Sequence, residues 1–559
     1  MAKSYLGMFG TAAEDEPLAN EKAVTRWVAN LRANDPIGGA LAISQLLETA
    51  SGKQQVVTSE GVIALLTLDR LSLPMQTQVQ AQYWSAAMSE SVRQQLWNAH
   101  KDLARGLAYS YEQLVEYIRS RPEDRRLNEH LLAVLSRMFY YRRVQAKQGL
   151  FRYEQWIPAQ WRHLHAAYKE ASRLGIATTP FSLADHAKAG ERSSIEQEYL
   201  QFLLLQRNNT GNLSVAQVEQ ASQWLRTWVP ALHLVAAPPE SASFWLLDLG
   251  KAEGLVAPRP DQPAGELLYL DVTPLLRQLT ELIARLKEQL AAGVDRSATR
   301  ELKERLALAK YLQRLWTPNS PPLPRRGARR TDQRAILVAP GWAEIGIMMR
   351  EARPWRPHDP YKYSYDDATE LVALGRAQGP KKDRPVDKDN LHPDRRGWEV
   401  LDMSESGCRI QSTTRRAAQL QIGNLLGLLL EGDTRWRIGV VRRLKRRTAE
   451  HTELGLEVIA ESSLLVMPES VGTGESGYSV NGVDINAKGR AFDALYLVPQ
   501  TQTQTPPVRS LVVPAAEFAP GRILSLRVEG ENAQIRLSVP IEYAWDWVWT
   551  TFEVIGPAK

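Results

Sequence analysis

"LPRRGARRTDQRAILVAPGW" (residues 323–342) and "RRGWEVLDMSESGCRI" (395–410) decide how the second half of this chain is read. The first follows "TPNSPPLP" (317–324), whose prolines end any helix and mark a linker. It then places Arg325, Arg326, Arg329 and Arg330 at the doorway of an apolar run. The second sets Asp402, Ser404 and Gly407 at the end of a strand. An arginine fork grips a phosphate, or the O6/N7 edge of guanine, through two parallel hydrogen bonds, and its flat face stacks on a purine. Lysine does only the first of these well. An ionised aspartate accepts only, which suits guanine's N1–H and amino donors. Serine donates or accepts, and glycine permits a tight turn and close backbone approach.

Taken together, "RRGAR" (325–329) before the first strand and "DMSESG" (402–407) between two later strands resemble the PilZ domain, over roughly residues 320–465. The strands "TRWRIGVVRRL" and "TELGLEVI" fit the later barrel strands of that family. The resemblance implies a small β-barrel that binds cyclic di-GMP, with Arg325, Arg326 and Arg329 as the motif arginines and Arg330 as an adjacent fourth. It also implies ligand roles for Asp402, Ser404 and Gly407. One departure stands out: about seventy residues separate the two motifs, so the insertion at 350–394 must loop out for them to meet. "DDATELVALGRA" is its best helix candidate. The bland alternatives are a solvated basic linker and an ordinary self-bonded turn.

Upstream, residues 1–232 read as helical. In "SSIEQEYLQFLLLQRNNTGNLSVAQVEQASQWLRTWVP", Ser193/Glu196 and Ser214/Gln217 have capping-box spacing around a turn. Residues 233–316 form a small α/β segment: "SFWLLDL" and "ELLYLDV" as strands, then a helix capped by Thr273 with Pro274 in its first position, then an antiparallel mate. In 317–465, "AILVAPGWAEIGIMM", "WEVLDMS", "RIGVVRRL" and "LGLEVI" are strand candidates. Residues 466–559 make a further β-domain, conceivable as a second, motif-less barrel; its hairpin puts Leu524, Leu526 and Val528 on one strand face and Ile535, Leu537 and Val539 on the next. The fold class is therefore α+β and multidomain: an all-α N-terminal region, a PilZ-like barrel, and a C-terminal β-domain.

The bulk numbers exclude several functions. One cysteine, Cys408, rules out an intrachain disulfide and a multi-thiolate metal site, and a reducing cytoplasm is the expected location. A net charge of +6 over 559 residues is too mild for a polybasic protein, and no apolar run approaches the ~20 residues of a membrane span. "GTGESG" (472–477) lacks the helix a dinucleotide fingerprint needs and reads as a loop. "RRLKRR" (442–447) reads as a solvated hairpin end, with positive potential lent to the ligand site or an RNA contact as the alternatives. His163 and His165 point in different directions from one helix, without metal-spaced partners, and Cys408 reads as a small buried apolar group. Tyr543, Trp545, Trp547 and Trp549 alternate as on one strand face; they read as core, with a partner or self-association surface as the alternative. No nucleophile–base pair, metal cluster or P-loop is visible, so the expectation is a non-catalytic cyclic di-GMP receptor that signals through a protein partner of its helical region. No metal or other cofactor is expected, and nucleic acid is not the expected partner. The competitors are a scaffold whose barrel takes no nucleotide, and an RNA-binding protein.

Overall fold

The structure, a computed structural model, describes residues 16–557 apart from 32–34, 53–57, 85–89, 183–191, 241–242, 260–264, 294–295, 322–329, 333, 352–396, 405, 415–416, 418, 448–450, 472–478, 481–482, 485–488, 499–508 and 529–530. The chain divides into two compact units, Met1–Leu323 and Pro324–Lys559.

The first unit is built from helices α1 (Glu21–Ala29), α2 (Pro36–Gly52), α3 (Ser59–Tyr83), α4 (Glu90–Arg119), α5 (Arg125–Asn128), α6 (Leu131–Phe151), α7 (Pro158–Arg173), α8 (Ile195–Arg207), α9 (Val215–Trp228), α10 (Thr273–Ala291) and α11 (Arg296–Trp316). A short ladder joins β1 (Phe181–Ser182) to β2 (Arg192–Ser193), and β3 (Leu234–Val235) and β4 (Phe244–Asp248) flank β5 (Leu267–Asp271). One continuous core runs from Val24 to Trp316. Trp316 is wholly buried: its indole N–H donates to Asn208, and its carbonyl accepts from the Trp245 indole, so the small sheet is bolted to the helices.

Helix α6 lies at the centre, buried nearly all round, yet it carries Arg137, Arg142, Arg143 and Lys147. Each faces an acid from another helix: Asp69, Glu112, Glu198 and Glu219 respectively. A buried charge is tolerable only when paired and hydrogen-bonded. Asp69 meets that condition with the Arg137 fork and the Tyr111 and Tyr141 hydroxyls, all within 2.7 Å. Capping follows the sequence with small shifts. Ser214 and Gln217 form the expected capping box, whereas Ser194, not Ser193, caps α8, and Ser193 bonds Glu198 instead. Helix α10 begins at Thr273, so Thr273 is its first residue and not its cap; Val272 holds the cap position, and the Asp271 carboxylate before it accepts the Thr273 N–H.

Among its described residues the second unit holds two large sheets and one two-stranded ladder. The first runs β6 (Ile336–Pro340), β9 (Leu425–Leu430), β10 (Arg437–Arg446), β11 (Thr452–Ala460), β8 (Gly407–Ser412) and β7 (Trp398–Ser404), every pair antiparallel. Its two edges meet where Ala335 bridges Glu399 and Arg330 bridges Met403, which turns the sheet into a barrel with a seam. "AILVAPGWAEIGIMM" is strand only as far as Pro340. Gly341, at φ +82°, ends it, and α12 (Trp342–Glu351) follows. Ile345, Met348 and Met349 recur at helical spacing on its buried side, a period a strand could not use.

The second sheet runs β12 (Ser463–Val466), β16 (Ala494–Leu497), β17 (Ser510–Pro514), β20 (Trp547–Pro557), β19 (Glu531–Tyr543), β18 (Ile523–Val528) and β13 (Glu469–Ser470), with β14 (Ser479–Val480) and β15 (Val483–Asp484) a separate pair. Alternation gives it two buried faces. Val512 and Trp547 pack with Ile345, Met348, Trp436 and Ile438 of the barrel and α12, while Leu511, Val513 and Val548 pack with Leu524, Leu526, Ile535 and Leu537.

Three expectations are corrected here. A turn at Ala544–Asp546 separates β19 from β20, so the aromatic run does not share one strand face: Trp547 is fully buried and Trp545 is 78% exposed at the tip. Register shifts between Leu537 and Pro540 turn Val539 out to solvent. "RRLKRR" is not simply solvated: Arg442 pairs with Glu457 and Glu542, and buried Arg446 donates to the Leu420 carbonyl. "DDATELVALGRA" and "GTGESG" lie outside the described residues.

Candidate functional site

The D-x-S-x-x-G segment is a hairpin. Its register pairs Ser404 with Gly407, Met403 with Cys408 and Asp402 with Arg409, below a bulge between Val400 and Asp402. Ser404 Oγ donates to the Gly407 carbonyl at 3.1 Å, locking the turn from inside. Gly407 is opposite Glu457 on β11, and a Cβ there would stand 2.6 Å from the Leu456 carbonyl oxygen. No side chain fits in that space, so the corner lies tight against β11.

The arginine arm reaches this corner. Arg330 N–H donates to the Met403 carbonyl at 2.8 Å, and Met403 N–H returns a bond to the Arg330 carbonyl at 2.9 Å. Met403 sits between Asp402 and Ser404, so the exposed Arg330 enters the chain path at the D-x-S corner itself. Arg325, Arg326 and Arg329 lie outside the described residues. Four residues on from Arg330, Arg334 is clasped by Asp332, whose carboxyl it holds below the usual range, and its guanidinium lies 4.0 Å from Met403 Sδ.

Paired residues share a face, so the register lays out a row across four strands: Asp402, Arg409, Gly455 and Arg443. The next row holds Glu399, Gln411, Glu453 and Lys445. Asp402 is nearly buried and its Oδ2 lies 2.7 Å from Arg409 Nε; Arg409 Nη1 donates to Glu453 Oε1 at 3.3 Å. Lys445 is held below its ordinary pKa by partial burial first, then by Arg443 and Arg447. The two rows thus interleave the cations Arg409, Arg443 and Lys445 with the acids Asp402, Glu399 and Glu453, a pattern suited to an anion that also offers hydrogen-bond donors. On the interior side, burial pushes the Cys408 thiol up to about 12, which makes it a packing group and not a nucleophile.

The sequence reading missed Arg409 and Glu453, and met Arg443 only within the basic run 442–447. The signal for Arg409 was present: a two-residue turn pairs Ser404 with Gly407, and counting back from it pairs Asp402 with Arg409. The strands carrying Glu453 and Arg443 could not be registered without their cross-strand partners.

Among the described residues no group of three or more His, Cys, Asp or Glu could hold a metal ion, and no helix is long and apolar enough to cross a membrane. Residues 22–240 match the family model described as cyclic-di-GMP receptor FimW, N-terminal domain, and residues 346–464 match cyclic-di-GMP receptor FimW, middle PilZ domain. The PilZ match begins beyond the arginine cluster, part-way along α12, and takes in the 402–407 hairpin and β11. No curated protein and no solved structure matches the chain.

Proposed function

We propose that this chain, which belongs to the FimW family of cyclic-di-GMP receptors and carries that family's N-terminal and middle PilZ domains, binds cyclic di-GMP at the seam of its barrel. The arm arginines Arg325, Arg326, Arg329 and Arg330 would clamp phosphate and guanine, and Asp402, Ser404 and Gly407 would form the floor. The observation that carries this reading is the Arg330–Met403 bridge, since it brings the arm's last arginine to the Asp402–Gly407 corner despite the long insertion between them.

Occupancy of the arm then changes how the helical unit meets a protein partner in the cytoplasm. The arm starts at the junction of the two compact units, which supports this second step. Titration calorimetry with cyclic di-GMP is the direct test. Arg326→Ala and Asp402→Ala each lose a charge-assisted contact and weaken binding about tenfold or more. Wild-type protein that takes up no ligand would leave the scaffold reading in its place. Amide exchange across 320–335 should slow when the site is saturated, and unchanged exchange would remove the clamp.

A further inference from the structure

We infer that Arg409 is an internal counter-ion that the dinucleotide must displace, and that it thereby sets both the affinity and the base preference of the site; this rests on the binding reading above. Three observations carry it. Arg409 Nε lies 2.7 Å from Asp402 Oδ2, against the carboxylate assigned to the guanine edge. Arg409 Nη1 is also held by Glu453, on the neighbouring strand. The Asp402 and Glu453 side chains are only 12% and 15% exposed, whereas that of Arg409 is 42% exposed. The two acids are fixed, and the arginine is the member free to turn outward.

Cyclic di-GMP offers both halves of an exchange. A phosphodiester can take Arg409, and guanine N1–H and N2–H can take the place of its guanidinium on Asp402. Asp402 and Arg409 each gain a partner for the one they lose, and Glu453 keeps Arg447, whose Nη2 lies 3.3 Å from its Oε2, so the exchange leaves no buried acid unpaired. A ligand that supplied phosphate without a two-donor base edge would draw Arg409 away and leave Asp402 short of a donor. Cyclic di-AMP is such a ligand, because its adenine edge pairs one donor with an acceptor. A site that must satisfy a buried acceptor rejects an analogue lacking the donor. Glu453 works against the exchange by holding Arg409 in the unliganded position.

The test is titration calorimetry of the full chain with cyclic di-GMP and with cyclic di-AMP. Wild type should favour the guanine ligand by about tenfold or more. Arg409→Gln should weaken cyclic di-GMP binding by about tenfold and narrow that preference, with Arg409→Lys recovering part of the affinity. Glu453→Gln should tighten binding severalfold. Glu399→Gln controls for net charge, since its carboxylate accepts from Gln411 on the same face, and it should tighten binding less. The opposite signs at 409 and 453 separate exchange from structural support, for which both changes would weaken binding together. Wild-type affinity in Arg409→Gln, or weaker binding in Glu453→Gln, overturns the inference while leaving the receptor reading intact. Failure of the wild type to bind cyclic di-GMP removes the reading beneath it.

Discussion

Gly407 shows how a single residue can be legible in kind and hidden in cause. The motif marks it as a place for a turn or a close approach, and the structure selects the approach: its missing Cβ is what lets the hairpin lie against Leu456. Gly407→Ala should therefore cost about 1–3 kcal/mol, because the obstacle is backbone and cannot swing aside. A lowered urea midpoint with unchanged slope would register it. Its neighbour Arg409 was equally present in the sequence, but isolated from meaning until the hairpin register placed it opposite Asp402. His100 carries the pH dependence at this scale. Burial first, and Lys147 second, lower its pKa from 6.5 to about 4, and the Gln148 amide lies 2.8 Å from its Nδ1. The unfolded chain binds that proton more readily than the folded one. Stability is therefore full above about pH 6.5 and falls as pH drops toward 4, by up to about 3 kcal/mol. His100→Gln should flatten that part of the urea-midpoint profile.

At the scale of elements, the sequence was read correctly wherever the hydrophobic period was unambiguous and misread where two periods abut. Strands at 398–404 and 452–460 alternate plainly, and the helices α9 to α11 show clear stripes. "AILVAPGWAEIGIMM" changes period at Gly341, and an apolar run of that length hides the change. The aromatic run 543–549 hides a turn in the same way, since Ala544 and Asp546 are weak turn signals between bulky rings. Gly341 accepts the α12 amide of Ile345 and holds φ at +82°, so Gly341→Ala should cost about 1–2 kcal/mol, again read from the urea midpoint. If the variant were as stable as wild type, the strand–helix junction would have another conformation open to it.

For the whole molecule, the boundary between the two compact units leaves a mark in the sequence, and the sharing of core inside the second unit does not. A proline-rich stretch announces a junction near 317–324. Nothing in the strand patterns says that Trp436 and Ile438 of the barrel pack with Leu495, Val512 and Trp547 of the last ninety residues, because an inward residue looks the same whichever layer covers it. The consequence is testable by truncation. Residues 324–559 alone should fold and retain cyclic di-GMP binding, whereas 324–465 strips the cover from Ile345, Met348, Trp436 and Ile438 and should aggregate or melt without cooperativity. A cooperative, soluble 324–465 fragment would refute the shared-core account. The barrel seam bears on timing as well. Hairpins such as β7–β8 and β10–β11 can form from neighbours, but the seam joins residues 64 (335 to 399) and 73 (330 to 403) positions apart and so pays its closure entropy late. Contacts made after the folding barrier govern the unfolding rate alone. A messenger that grips the seam would then act as a kinetic lock, lengthening the lifetime of the closed ring without hastening its assembly.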